Sequence, residues 1–465
     1  MAERLWTSDA IVAATGGRLA GAPFDASGVS IDTRTLEPGD LFVALAGERD
    51  GHEFVAAALE RGAAGALVSH PVNGASVLVG ETLVALEKLG VAARDRAPQA
   101  RRGAVTGSVG KTSVTQAIAA GLARAGRSHA SVKSYNNHIG VPLTLARMPA
   151  DTERAVFEIG MNHADEITPL ARMVRPHAVA ITTVAQAHIE NFADGEAGVA
   201  RAKAEIFEGL APGGKAVLNA DNQWFDFLGD SAKTHGAEVL AFGTRAGCAA
   251  QLTGFSLQGD GARVEATLHG RPVSFGLRQT GSHWGLMSLA ALLMMEALGV
   301  SLDDGLAALA AFEPLEGRGA ERQALLPGGE TFTLIDESYN ANPVSVAAAL
   351  RTLGLKPARR RLVALTDMLE LGRDAPAYHA GLAPEIEAAK VDLVFAAGPM
   401  MKCLYEALPP TRRGAYAEDA AALIPSLTQA VEPGDVVMVK GSKASNAKAL
   451  HDALSGLAAR SGEAA

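Results

Sequence analysis

The sequence predicts a mixed α/β protein of three domains: a small α/β unit over residues 1–97, a central parallel-sheet unit over 98–317 and a doubly wound α/β unit over 318–465. Three observations carry this reading. The chain has 465 residues, and one domain takes roughly 100–200. Short apolar runs that read as buried strands alternate with helix-like runs, which implies mainly parallel sheets covered by helices on both faces. A glycine-rich loop, Thr106-Gly107-Ser108-Val109-Gly110-Lys111-Thr112, stands between one such strand and one such helix.

In the first unit, Thr7-Ser8-Asp9 reads as a helix cap before Ala10–Ala14, because short hydroxyl and carboxylate side chains accept from free N–H groups of the first turn. Asp40–Leu45 and Gly65–Ser69 are expected as strands, with a helix at Phe54–Arg61 between them. Pro98 and Arg101-Arg102 mark a boundary. Beyond it, buried strands are read at Ala155–Gly160, His177–Val184 and Gly214–Ala220. The most apolar stretch, Trp284–Val300, is broken by Glu296 and is too short to cross a bilayer comfortably, so it is expected as a buried helix. Glu316-Gly317-Arg318-Gly319 marks the next boundary, and four further strands follow, at Phe332–Asp336, Arg361–Thr366, Leu393–Ala397 and Asp435–Lys440. No internal repeat occurs, and a short Ser/Gly/Ala tail closes the chain.

Composition narrows the function. Net charge is −9 with no long basic run, which argues against nucleic acid or an anionic membrane as the main partner. The two cysteines, Cys248 and Cys403, are far apart in sequence, which fits a reducing compartment and no disulfide framework. The N-terminus lacks the apolar core of a signal peptide. A soluble, cytoplasmic protein is expected.

The glycine loop is the strongest chemical signal. Glycines let backbone N–H groups converge on phosphate oxygens, and the helix behind adds positive potential. Lys111 would reach the outer phosphates, and the Thr112 hydroxyl would hold Mg²⁺. The longer form of the pattern has a glycine at position 105; Val105 stands there, so this is the short form.

Further polar residues follow apolar strands, where ligands bind in such sheets. Glu158 ends one strand and can reach a metal beside the loop. His188 follows the next and could be a second ligand, with His163 and Glu190 as neighbouring candidates. Lys203, in Arg201-Ala-Lys203-Ala-Glu-Ile-Phe, reads on local pattern as a solvated helix lysine. Phe332–Asp336 imitates the strand that carries a metal-binding acid in P-loop ATPases, but lies far from the loop in sequence. After it, Ser338-Tyr339-Asn340-Ala341-Asn342-Pro343 reads as a turn presenting carboxamides to a ligand, or as a plain Asx-rich turn. Ser30-Ile31-Asp32-Thr33-Arg34 is an acid–hydroxyl–arginine cluster in which Arg34 could grip a phosphate or simply form a surface ion pair. Asn136-Asn137-His138 lies well placed for substrate, and Asp367–Gly372 and Lys440–Lys443 sit at the carboxyl ends of strands.

These pieces, in this order, resemble the Mur ligases, over nearly the whole chain. The matching segments are Asp32-Thr-Arg through Gly51-His52, the short glycine loop, Asn136-Asn-His-Ile-Gly-Val-Pro, Glu158-Ile-Gly-Met-Asn and Ala202-Lys-Ala-Glu-Ile-Phe. Tyr339-Asn-Ala-Asn-Pro and Asp367-Met-Leu-Glu-Leu-Gly are similar to the branch that joins D-alanyl-D-alanine to UDP-N-acetylmuramoyl tripeptide in peptidoglycan synthesis. The Asp-Asn-Pro-Arg motif of the diaminopimelate-adding branch is absent. The resemblance implies a UDP-binding first domain, a central ATP-binding domain and a C-terminal domain for the incoming dipeptide. It implies that Gly107, Ser108, Val109, Gly110, Lys111 and Thr112 bind ATP phosphates. Thr112 and Glu158 would hold one Mg²⁺, and His188 a second, bridged by a carbamate on Lys203. His283 and Arg318 would contact the nucleotide and Asp336 its ribose. Ser30, Asp32, Thr33 and Arg34 would meet the UDP end, with Asn136, Asn137, Asn340 and Asn342 on the substrates. A monomer is expected. Trp284 and Met287 occupy a region where the family usually offers asparagine to adenine, and Thr366 stands where a glycine is common. Two other classes stay open: a sister ligase that adds a single amino acid or a glutamate, and a nucleotide-binding regulator without ligase activity. No Asn-Lys-x-Asp guanine signature occurs.

Overall fold

The structure, a computed structural model, describes residues 4–47, 49–132 and 134–460; the Ser/Gly/Ala tail lies outside the described residues. Three main sheets follow one another along the chain. The first has five strands in the spatial order Arg18–Ala20, Ser76–Leu78, Gly65–Val68, Asp40–Val43 and Gly28–Ser30, all parallel to their neighbours except the first. A two-stranded ribbon pairs Trp6–Thr7 with Asp25–Ala26. Thr7 caps the Ser8–Thr15 helix, its hydroxyl accepting from the Ala10 N–H at 3.0 Å. The helix expected at Phe54–Arg61 is a 3₁₀ turn at Gly51–Phe54 running into Val55–Glu60.

The central sheet has nine strands. Six are parallel, with Arg101–Thr106 between Arg154–Glu158 and Ala178–Ile181, and Lys215–Asn219 and Glu238–Gly243 further out. The other three, Ala250–Gln258, Gly261–Leu268 and Arg271–Leu277, pair antiparallel with one another, and the first joins the parallel strands through Phe242 and Gly243. The expectation of a mainly parallel sheet missed this antiparallel part, although Gly261–Leu268 alternates buried and exposed residues as a one-sided strand does. The glycine loop feeds the Lys111–Ala125 helix. Trp284–Val300 is largely one helix, His283–Ala297, buried at eleven of its fifteen positions, as an all-round apolar helix must be.

The third sheet runs Ala320–Leu325, Thr331–Glu337, Val436–Lys440, Arg361–Thr366, Leu393–Ala397 and Arg413–Ala417, with only the first strand antiparallel. Apolar clusters lie on both faces of this sheet. The first domain docks on the central one through Trp6, whose Nε1 donates to Ala146 O at 2.8 Å with the Arg96 guanidinium over its ring.

Candidate active site

A cavity of about 570 Å³ opens where the central and C-terminal domains meet, and Ser108–Thr112 lie in its wall. Strand register sets Glu158 opposite Val105 and Ile181 opposite Thr106, so the loop leaves the sheet between two strands whose ends face the same space. Gly107 has φ +148°, and a Cβ there would collide with Thr182 Oγ1. Gly110 has φ +87° and opens the helix in a left-handed conformation. Both positions therefore need glycine, whereas Val105 belongs to the strand and takes no part in the turn. The Ser108 N–H donates to Thr183 O at 2.8 Å, and Lys111 Nζ donates to Gly107 O at 2.7 Å. Burial pushes the Lys111 ammonium down from its ordinary value; the Glu158 carboxylate opposes this and the Arg318 charge adds to it.

Glu158 is 1% exposed. Its Oε1 accepts from Asn136 Nδ2 at 2.6 Å, and its Oε2 has no partner. A buried acceptor left unpaired costs about 1–3 kcal/mol, more when charged, so this atom marks where a donor or cation belongs. Thr112 Oγ1 accepts from Arg318 Nη2 at 3.0 Å and keeps a second lone pair. His188 adopts φ +57° in the loop after Ala178–Ile181, and its Nδ1 lies 2.5 Å from Glu370 Oε2. Glu370 is itself left-handed, at φ +64°. Two strained residues from different domains thus face each other across the cavity mouth. The His188 ring holds the Glu370 carboxyl below its ordinary value.

Lys203 is a correction to the local sequence pattern. It is 2% exposed, not solvated. The Glu196–Ala204 helix buries six of its nine residues and so has no wet face at this position. Burial drives the Lys203 amine well below its ordinary value, and the nearby Lys111 charge pushes the same way. Lys203 does not line the cavity itself. Of the alternative ligands, His163 is exposed and pairs with Glu166 Oε1 at 3.2 Å.

The C-terminal domain supplies the facing wall. The Arg318 guanidinium stacks on the Tyr339 ring at 3.8 Å, and the Tyr339 hydroxyl is hydrogen-bonded to Ser134 Oγ of the central domain. Asn340 and Asn342 both line the cavity. Asn342 also caps the Pro343–Leu355 helix: its Oδ1 accepts from the Ser345 N–H at 2.9 Å. Lys440 Nζ donates to Glu337 Oε2 at 3.1 Å and to Asn340 O at 3.0 Å. His283 lines the cavity with its Nδ1 unpartnered, and burial pushes its pKa down.

Several expected residues are placed elsewhere. Asp336 is buried off the cavity wall. Its Oδ2 accepts from the Gly317 N–H at 2.9 Å, and its Oδ1 from the Ser338 N–H and Oγ–H. Asn137 caps the turn at Gly140, accepting its N–H at 2.9 Å. Ser30, Asp32, Thr33 and Arg34 lie on the first domain, outside this cavity. There Arg34 Nη2 lies 2.6 Å from Asp32 Oδ2 and holds that carboxyl below its ordinary value. Sequence reasoning missed the roles of Ser134, Tyr339 and Glu370. Tyr339 and Glu370 sat inside quoted motifs; Ser134 carried no signal.

Residues 25–136 match the catalytic domain of the Mur ligase family, 105–295 the Mur ligase middle domain and 321–443 the Mur ligase glutamate ligase domain. The UDP-N-acetylmuramoyl-tripeptide–D-alanyl-D-alanine ligase of Escherichia coli (strain K12) is 36% identical over 434 residues, covering 92% of this chain and 93% of that one. This chain belongs to the Mur ligase family. The ligase of the same name from Bacillus subtilis (strain 168) is 32% identical over 427 residues, covering 90% of each chain. Among solved structures, MurF from Acinetobacter baumannii superposes with a TM-score of 0.85 at 28% identity, over 97% of this chain and 98% of that one. MurF from Thermotoga maritima in complex with ADP, at 21% identity and a TM-score of 0.77 over 93% of this chain and 98% of that one, shares the three-domain Mur ligase fold.

Proposed function

We propose that this Mur ligase joins D-alanyl-D-alanine to UDP-N-acetylmuramoyl tripeptide with ATP, through an acyl phosphate, giving the pentapeptide precursor of peptidoglycan. The observation that carries the reading is one cavity in which a phosphate loop and a buried, half-unpaired Glu158 face a second domain. The relatives' names supply the substrates.

The tripeptide carboxylate is a poor electrophile. Transfer of the γ-phosphoryl group of ATP to a carboxylate oxygen gives an acyl phosphate and ADP. The neutral amine of the dipeptide then attacks the carbonyl carbon, and the tetrahedral adduct collapses with loss of phosphate and a proton. The N–H groups of Gly107–Thr112 cradle the phosphates, with Lys111 swinging from Gly107 O to the outer ones. His283 and Arg318 contact the nucleotide. Asp336, turned away from the cavity, acts on the Gly317–Arg318 turn instead of touching the ribose.

The donor set fits Mg²⁺: Thr112 hydroxyl and the unpaired Glu158 Oε2 for one ion, His188 for a second. When bound, Mg²⁺ offsets the charge of two anions that must meet. Burial lowers the Lys203 pKa and so favours the neutral amine, the form whose nitrogen would add CO₂ with loss of a proton, and the resulting carbamate would offer a second anionic ligand. We assign residues 1–97 to the UDP end, with Ser30, Asp32, Thr33 and Arg34 on it. Residues 98–317 take ATP, and 318–465, with Asn340 and Asn342, take the dipeptide; Asn136 and Asn137 lie between. The chain acts as a monomer in the cytoplasm, in keeping with two unpaired cysteines and with no described helix long and apolar enough to cross a membrane.

The test is phosphate release from ATP with UDP-N-acetylmuramoyl tripeptide, with and without D-Ala-D-Ala. Release that needs both, with a product heavier by the dipeptide, is expected. Release that needs a single free amino acid moves the chain to a sister branch, and no release at all favours a non-catalytic nucleotide binder.

A further inference from the structure

Among the described residues three carboxylates line the cavity, those of Glu158, Glu337 and Glu370. Glu158 accepts from Asn136 beside the phosphate loop. Glu337 is paired with Lys440 of its own domain at 3.1 Å. Glu370 differs from both. Its side chain is 47% exposed, and its partner, His188 Nδ1 of the opposite domain, lies 2.5 Å away but out of line for a hydrogen bond. No described residue of its own domain pairs with it.

The backbone under Glu370 is fixed by its surroundings. Its φ of +64° is a conformation that a non-glycine residue keeps only where neighbouring contacts enforce it. Each of the three residues before it is tied down. The Asp367 carboxylate accepts from the Met401 N–H at 2.8 Å. The Met368 N–H donates to Nε2 of the fully buried His379 at 2.9 Å. The Leu369 N–H donates to Ser442 Oγ at 3.0 Å. These anchors come from the Met401–Ala407 helix, the Ala375–Ala380 helix and the loop after Val436–Lys440. Together they present one carboxylate to the cavity, beside a residue assigned to the metal set.

Charge says what that carboxylate can receive. ATP and the reacting carboxylate of the tripeptide are anions, which it repels. The dipeptide brings an α-amino group, whose ordinary pKa of about 7.7–8.0 leaves it mostly ammonium at pH 7. That group must reach the same reacting carbonyl, and it arrives on the C-terminal domain, which carries Glu370. An ammonium donates charge-assisted hydrogen bonds to a carboxylate, stronger than those between neutral groups. The inference rests on the ligase reading above and names the residue that chooses its amine. We propose that Glu370 binds the ammonium of the incoming dipeptide, so that the site rejects an analogue with an uncharged terminus.

The experiment measures phosphate release by the full-length protein with D-Ala-D-Ala, on the wild type and on Glu370→Gln. Its second arm is inhibition by D-lactyl-D-alanine, which carries a hydroxyl where the dipeptide carries its ammonium. In the variant, loss of a charge-assisted hydrogen bond should raise KM for D-Ala-D-Ala ~10–100-fold. KM for ATP, KM for the UDP-linked substrate and Mn²⁺ affinity by electron paramagnetic resonance should stay level. The wild type should favour the dipeptide over the hydroxyl analogue by a similar ~10–100-fold, and the variant should lose that preference, whereas a merely structural lesion weakens both ligands alike. Equal wild-type affinity for the two ligands overturns the proposal, whether or not the variant folds. So does a variant, folded by its thermal transition, whose KM for the dipeptide is unchanged. A variant that instead loses Mn²⁺ affinity, or affinity for the UDP-linked substrate, overturns it too and leaves the ligase reading standing. A wild type that releases no phosphate with D-Ala-D-Ala overturns the ligase reading and this proposal together.

Discussion

Two polar regions of this molecule are built on opposite principles. On the first domain, Arg34 closes on Asp32 at 2.6 Å, and His52 Nδ1 lies 2.6 Å from Asp50 Oδ1 while its Nε2 accepts from the Ser69 N–H at 2.9 Å. Arg34 lies at the surface and the His52 ring beneath it, and each is satisfied by its neighbours. Around the cavity between the central and C-terminal domains, Glu158 Oε2 and His283 Nδ1 are buried without a partner, and burial lowers the pKa of Lys111 in its wall and of Lys203 behind it. Exposed ion pairs contribute about 0–1 kcal/mol, so the first region can give up its pairing to a ligand at little loss. The second is under strain until something fills it. A self-paired surface cluster predicts a binding site that tolerates substitution. An unpaired buried one predicts a site whose residues destabilise the empty protein and are indispensable to the reaction.

The sharpest way to break that comparison is Lys203→Met. If Lys203 carries the proposed carbamate, its removal should lower kcat by more than about 100-fold, since losing even a group that only orients a metal ligand costs roughly 10–100-fold. Stability should move the other way. The folded-state amine titrates well below the ordinary lysine value of 10.5, so between those two values the unfolded chain binds the extra proton and wild-type stability rises with pH. In CO₂-free buffer the variant is therefore more stable than the wild type at neutral pH, and the gap narrows as pH approaches 10.5. Thermal melts across that range check the sign, and a variant less stable than the wild type at pH 7 would remove the strain argument. Wild-type activity should fall on bicarbonate depletion and return on adding it.

Glu158→Gln comes next. It keeps the shape and can keep the Asn136 contact by an amide flip, but it offers no anion to a cation. A loss of about 100-fold in kcat is expected, with Mn²⁺ binding weakened when followed by electron paramagnetic resonance. Unchanged Mn²⁺ affinity would mean that the unpaired Oε2 is not a ligand.

How much of this was legible before the fold was known differs between the same two regions. The glycine loop, its helix and the strand ending at Glu158 were readable, because each is set by neighbours in sequence. So was the Asp32–Arg34 pair, two residues apart. What the sequence hid lies between elements far apart in the chain. Arg318 reaches Thr112 across 206 positions and Tyr339 reaches Ser134 across 205, and no local pattern encodes such contacts. Lys203 was misread for the same reason: its helix is covered by other parts of the chain, so a polar position that should face water does not. Asp336 was misplaced because an acid at a strand end can turn to either side, and here the Gly317 and Ser338 N–H groups claim it.

Arg318→Ala tests the seam between the domains. It removes a charged hydrogen bond to Thr112 and a guanidinium stacked on Tyr339. A charged hydrogen bond is worth about 1.5–3 kcal/mol and a cation–π contact about 0.5–2, so KM for ATP should rise ~10–100-fold. Arg318→Lys should recover little, since an ammonium cannot stack and donate in the same geometry. Full rescue by lysine would reduce Arg318 to a point charge.

The smallest expected effect falls on the first domain, and it carries the comparison's other half. Arg34→Ala breaks an ion pair whose arginine is exposed, so the melting temperature should hardly move. If Arg34 leaves Asp32 to meet a diphosphate, one charge-assisted contact is lost, and KM for the UDP-linked substrate should rise about tenfold with kcat and KM for ATP unchanged. Asp32→Asn sharpens the point. It frees Arg34 from its competitor, so the same KM should stay level or fall, whereas a purely structural pair would give equal and mild losses on either side. Opposite signs for these two substitutions would show that the first region is a binding site held closed by itself.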